Sequence, residues 1–165
     1  MENNDSKIIK EIDRDSLNNA TYIISYFSKN NKEVSFQHLN RLLYLLEAIY
    51  MAVTSDNYLY KDQFLAHNFE LSNDEIIDKY KKFNNFPIEL EEEDVTIPVI
   101  NEIFINGLYK MFGEFSTSQL VSFTTRKDSA WDVINKEYNE KIPKNVVIEK
   151  ERTKEWFSKL VKIEK

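Results

Sequence analysis

The stretch that decides the fold is Ser35-Phe36-Gln37-His38-Leu39-Asn40-Arg41-Leu42-Leu43-Tyr44-Leu45-Leu46-Glu47-Ala48-Ile49-Tyr50-Met51-Ala52-Val53-Thr54. Phe36, Leu39, Leu42, Leu43, Leu46, Ile49, Tyr50 and Val53 recur at three- and four-residue spacing, the period of one buried helical face. Leu45, Ala48, Met51 and Ala52 widen that face, so the spacing predicts a helix over 36–54 buried on most sides. Ser35 suits its N-cap, because a serine hydroxyl accepts from the free amides of a first turn. Such a helix has to stand at the centre of a core.

On the N-terminal side, Leu17, Ala20, Ile23, Ile24 and Phe27 predict a helix over 17–29, ended by the polar break Asn30-Asn31-Lys32. On the C-terminal side the helical period fails between Tyr58 and Leu71. Tyr58-Leu59-Tyr60 and Phe64 to Phe69 suit two short extended segments. Ser72 to Glu75 reads as a capping box before a third helix reaching Phe83, through Ile76, Ile77 and Tyr80. Residues 84 to 94 read as a loop ending in an acidic run. Pro98 fits the first turn of a fourth helix through Ile100, Ile103, Phe104, Leu108, Tyr109 and Phe112, with Gly113 as its stop. Ser116-Thr117-Ser118-Gln119 predicts a second capping box and a short fifth helix with Leu120, Val121 and Phe123. A sixth begins near Ser129 with Trp131, Val133, Ile134 and Tyr138, and a last one spans about 150–161 with Trp156 and Phe157. The expected fold is mainly α: a compact single-domain helical bundle around a buried central helix, with room for a short β-ribbon. A flexible segment over 1–15 and one helical domain over 16–165 are the expected divisions.

Composition narrows the function. The chain has 165 residues, a net charge of −6 spread evenly along it, and no cysteine. An evenly acidic chain has no basic footprint for phosphates, so nucleic acid is an unexpected ligand, although a helix-turn-helix can hide in helical sequence. No apolar run approaches the ~20 residues of a membrane span, and Met1 to Lys10 lack the apolar centre of a secretory signal. The absence of cysteine suits a reducing compartment, and a cytoplasmic location is expected. With Gly107 and Gly113 as its only glycines, the sequence has no Gly-rich phosphate loop. His38 and His67 are its two histidines, and neither lies in a metal-binding spacing beyond His67 and Glu70. That HxxE reads either as a ligand pair or as a loop histidine beside an exposed glutamate. Glu91, Glu92 and Glu93 read either as a solvated turn or as a docking patch for a basic partner. Tyr58 and Tyr60 fall on an irregular segment, where tyrosines anchor interfaces.

The central helix also carries a resemblance. Leu39-Asn40-Arg41-Leu42-Leu43-Tyr44-Leu45-Leu46-Glu47-Ala48 resembles the Leu-x-Lys-Leu-Leu-Tyr-x-x-Gln-Ala signature of the Panacea domain, a SocA-like, phage-associated antitoxin family. Ala20 to Ile24 is similar to that family's opening helix. Ser116 to Leu120, Thr124 and Trp131 are similar to later elements, as is Ile142-Pro143 before Trp156-Phe157, so the resemblance spans about 17–161. The chain departs from the pattern at Phe69-Glu70-Leu71, in place of Tyr-Gly-Pro, and at Thr125 and Ala130, in place of a histidine and a proline.

The resemblance implies a non-enzymatic antitoxin that neutralises a toxin by direct protein contact, without metal, cofactor or small-molecule substrate. Two alternatives stand beside it: an inhibitor of a host defence system on the same scaffold, carried by a phage or mobile element, and an enzyme using carboxylates. Leu42, Leu43 and Tyr44 are expected to be structural, because their spacing places most of them on the buried stripe. The helical faces are used up by the core, so the partner is expected to meet Tyr58, Tyr60, Phe64 and Phe69, with Glu91, Glu92 and Glu93 attracting it from a distance.

Overall fold

The computed structural model describes residues 11–90 and 95–161. Helix α1 (Ser16–Lys29) starts where Asp15 accepts from the amides of Leu17 and Asn18. Helix α2 (Phe36–Thr54) starts at Ser35, whose hydroxyl accepts from His38 N, and ends at Ser55 in a left-handed conformation. Strands β1 (Phe64–His67) and β2 (Glu70–Ser72) form a hairpin. Helix α3 (Asp74–Tyr80) runs into a short 3-10 turn over Lys81–Phe83. Then come α4 (Val99–Phe112), α5 (Thr117–Thr124), α6 (Ala130–Glu137), strand β3 (Val146–Ile148) and α7 (Lys150–Leu160). The structure is 58% helical, and its strands form one small antiparallel sheet, β2-β1-β3.

Helix α2 is the centre. It packs against α1, α3, α4, α5, α7 and β2, and Leu39, Leu42, Leu43, Leu45, Ala48, Tyr50 and Met51 have no exposed surface. Because partners surround it, the apolar face had to be wide. It reaches the surface at its two ends: Gln37 is exposed in the first turn, and in the last Val53, assigned to the stripe by its spacing, is 51% exposed. Ile103 of α4 and Val133 of α6 likewise face outward at 60% and 39%.

Several local expectations change. The cap of α3 is Asn73, whose Oδ1 accepts from Glu75 N at 2.9 Å and Ile76 N at 3.4 Å; Ser72 belongs to β2 instead. An amide oxygen serves as well as a hydroxyl in that position, so the cap lies one residue later. The box at Ser116 forms as its pattern predicts, with Gln119 N donating to Ser116 Oγ and Ser116 N donating to Gln119 Oε1. Gly113 ends α4 with a right-handed φ of −59°. The glycine answers crowding there, since a Cβ would lie 2.5 Å from the carbonyl oxygen of Tyr109. Residues 1–10 of the segment expected to be flexible lie outside the described residues. Residues 12–15 are held: Ile12 is buried, and Asp13 N donates to Asn101 Oδ1 at 2.8 Å.

His38 in the first turn of α2 is nearly enclosed, and its Nδ1 lies 2.9 Å from Thr117 Oγ1. Burial lowers its pKa from 6.5 to about 4, because the enclosed ring loses the water that would solvate its charge. The folded pKa lies below the unfolded one, so this contribution to stability is present above about pH 6.5 and drains away as pH falls towards 4. At its full extent it amounts to roughly 3 kcal/mol. Urea midpoints measured at pH 7 and 4.5 should therefore differ by more in the wild type than in His38→Gln. Equal pH dependence in the two proteins would refute the assignment.

Candidate functional site

The site grows out of three polar residues that α2 carries into the core: Arg41, Tyr44 and Glu47. Spaced three apart, they share one side of the helix and face the sheet and the irregular chain before it. Glu47 is 1% exposed. Its Oε2 accepts from Leu59 N at 3.0 Å and Tyr60 N at 2.9 Å, and Lys150 Nζ completes the cluster at 2.7 Å. This clamp draws the 58–60 segment inward. Tyr60 is consequently buried, and its hydroxyl donates to Leu43 O at 3.1 Å. Burial and the nearby carboxylates of Glu47 and Asp62 hold that phenol well above its ordinary pKa. Tyr44 is also buried, paired with Thr153 Oγ1 at 2.8 Å, and its pKa is raised by desolvation.

Two of the expected contact residues are thereby corrected. Tyr60 cannot be an exposed anchor, because Glu47 holds its backbone and the core takes its ring. Phe64 is 2% exposed and packs edge-on against the Tyr44 ring at 5.3 Å, because it occupies an inward position of the central strand. Tyr58 remains at the surface at 38%, with the Arg14 guanidinium 4.6 Å from its ring centroid and Arg14 Nη1 donating to its carbonyl at 2.8 Å. No strand forms over 58–60. Glu91, Glu92 and Glu93 lie outside the described residues.

Phe69 is where the expectation of an exposed aromatic holds. It sits at the β1–β2 turn, 66% exposed, with a φ of +52°. A bulky residue in the left-handed region carries a cost of about 1–3 kcal/mol that its surroundings must offset. They do so from two sides. The ring stacks on Trp131 at 5.1 Å, and Arg41 Nη2 donates to its carbonyl oxygen. Trp131 is itself fixed by donating Nε1–H to His67 O at 2.9 Å. The ring is thus presented outward on a rigid mount. Phe86 is 72% exposed as well, but its ring makes no aromatic or cationic contact among the described residues. Phe69 lies by Arg41 and Tyr58 by Tyr50, nine residues or about 14 Å apart along α2, so the structure separates the two aromatics.

Arg41 escaped the sequence reading. The signal was present as a cation inside the apolar stripe of the most buried helix, where unpaired charge is rare. It is 4% exposed and also donates Nη1–H to Thr124 Oγ1 at 2.6 Å. Burial lowers its pKa to about 10, opposed by the charge of Glu70, so it remains a cation at neutral pH. His67 and Glu70 form a loose pair at 3.9 Å. No group of three His, Cys, Asp or Glu side chains is placed to hold a metal ion among the described residues. No helix of the described residues is long and apolar enough to cross a membrane.

The fold and site define a mainly helical domain with one rigidly mounted surface aromatic beside a buried cation. Comparison of the chain with family models, curated proteins and solved structures finds no match in any of the three.

Proposed function

We propose that this protein is an antitoxin of the Panacea type that neutralises a toxin by direct contact through a surface centred on Phe69. The observation that carries the reading is that ring: exposed, strained at its own backbone, and braced by Trp131 and Arg41. The stack on Trp131 offsets part of the cost of that turn, yet asparagine or glycine would adopt the left-handed conformation without needing such a brace. Recognition gives it a purpose, because a pre-organised aromatic anchor binds without paying to be ordered first. The signature-like sequence of α2 supplies the rest of the reading, since it resembles a family of toxin-neutralising proteins.

The test starts from the native host. Proteins captured on the tagged chain are identified by mass spectrometry, and each is expressed alone in cells and again together with this protein. One of them should arrest growth, and co-expression should relieve the arrest. Phe69→Asn keeps the left-handed turn and removes the ring. It should leave the circular dichroism spectrum unchanged and speed dissociation of the complex about 30-fold, as loss of about 2 kcal/mol requires. Surface plasmon resonance reads that rate. If no captured protein is toxic, the antitoxin reading is lost; if Phe69→Asn binds like wild type, the surface lies elsewhere.

A further inference from the structure

A cavity of about 290 Å³ opens beside the Phe69 turn, between α2, β2, the 3-10 turn and α5. It falls just below the usual size of small-molecule sites, so it fits one or two side chains better than a cofactor. Its floor is Arg41. Of the five N–H groups of that guanidinium, Nη1 and Nη2 each give one to a neutral oxygen, on Thr124 and Phe69. Arg41 has no carboxylate within ion-pair distance among the described residues. Its Nε makes no hydrogen bond there either, yet no buried side-chain nitrogen or oxygen lacks a partner. Nε is therefore not fully enclosed, and Arg41 is one of the residues that line the cavity. The same argument applies to Asn40, which is 2% exposed. Its Oδ1 accepts from Asn73 N at 3.1 Å, which fixes the amide orientation and leaves the Nδ2 donor without a hydrogen bond among the described residues, and Asn40 also lines the cavity. The exposed Lys81 and the apolar Phe36 and Leu71 also line it.

We infer that this cavity is a subsite for a carboxylate borne next to an apolar side chain on a segment of the protein partner. The inference rests on the reading of the Phe69 turn as the partner's surface, which the cavity adjoins. A buried guanidinium with unused donors and no carboxylate within ion-pair distance is costly to keep. A planar carboxylate matches its fork, and Asn40 adds a donor from the side. The apolar walls select the carbon body that carries the charge. Glu70 is the resident competitor. Its side chain is 73% exposed and leans on His67 at 3.9 Å, yet it lines the cavity and its charge is felt by Arg41. An incoming carboxylate has to displace that influence.

The test is a two-dimensional NMR titration of the isotope-labelled full chain with three probes: N-acetylphenylalanine, its amide and inorganic phosphate. The acid should shift the Arg41 Nε–H resonance and the amides of Phe69 and Glu70 saturably, with the amide and phosphate at least tenfold weaker. Two exposed variants leave the fold intact and carry opposite signs. Lys81→Gln should weaken binding of the acid, and Glu70→Gln should tighten it, each about two- to fivefold, as expected for a single partly screened charge. Equal response to acid and amide would make the cavity merely apolar, and equal response to phosphate would make it a general anion site. Either result overturns the inference, as does no saturable shift, or Glu70→Gln without effect. The two readings fail separately. Partner binding sensitive to Phe69→Asn with no acid binding sinks the subsite alone, whereas acid binding with no toxic partner sinks the antitoxin reading alone.

Discussion

Glu47→Ala is expected to lower folding stability by about 3–5 kcal/mol, the usual result of removing one member of a buried ion pair. The carboxylate holds three donors at once: the amides of Leu59 and Tyr60, and Lys150 Nζ. Lys150 Nζ also donates to Asp62 O at 2.9 Å, with only 14% of its side chain exposed. Taking the carboxylate away strands a buried cation and two buried amides together, and each such group retains its full desolvation cost. Two further variants divide the effect. Glu47→Gln keeps an oxygen for the two amides and removes only the charge, so it should fall between wild type and Glu47→Ala. Changing Glu47→Leu and Lys150→Met together removes both charges and should recover part of the loss, since apolar replacement of a buried pair is often neutral or better. Urea denaturation measures all four proteins. If Glu47→Ala unfolds at the wild-type midpoint, the clamp contributes nothing and the inward path of residues 58–60 needs another cause.

Where side chains repeat at the helical period, the sequence made the fold legible. The limits of α2 follow from Ser35 and the apolar spacing, and the box at Ser116 is readable because both of its hydrogen bonds are local. What could not be read was set by contacts distant in sequence. Tyr58 and Tyr60 look alike in the chain, two residues apart in one irregular stretch. Only Glu47, more than ten residues earlier, and Lys150, about ninety later, decide that Tyr60 goes inside. Strand β3 was missed for a similar reason. Val146-Val147-Ile148 is a β-branched run after Pro143, which is a usable strand signal, but its partner is β1, paired Phe64 to Ile148 and Ala66 to Val146. The exposed Phe69 was legible as a residue of interest, whereas its strained turn and its brace on Trp131 were not. The place of Arg41 in the stripe is visible in the sequence, but its partners, Thr124 Oγ1 and the carbonyl of Phe69, are again set by contacts distant in the chain.

Leu43→Ala is expected to cost about 3–5 kcal/mol, the upper part of the range for removing a buried leucine side chain. The range is wide because the penalty depends on how far neighbours relax into the space left behind. At Leu43 they have little freedom. The side chain has no exposed surface and lies in a cluster with Leu39, Leu42 and Leu46 on a helix enclosed by five others. Its own carbonyl is held by Tyr60 Oη, and the next residue is held by the bond from Tyr44 Oη to Thr153. Collapse of the cavity would require α2 to shift, which would pull on both of those buried hydroxyls and on the Glu47 clamp one turn later. The cavity should therefore persist, with a loss close to that of a rigid site. Val53→Ala provides the internal contrast, because Val53 sits on the same helix but is 51% exposed. It should change stability by no more than about 0.5 kcal/mol. Chemical denaturation of the two variants side by side decides the matter. Similar midpoints for both would mean that α2 is no more enclosed at Leu43 than at its free end, and the central place given to this helix would be wrong.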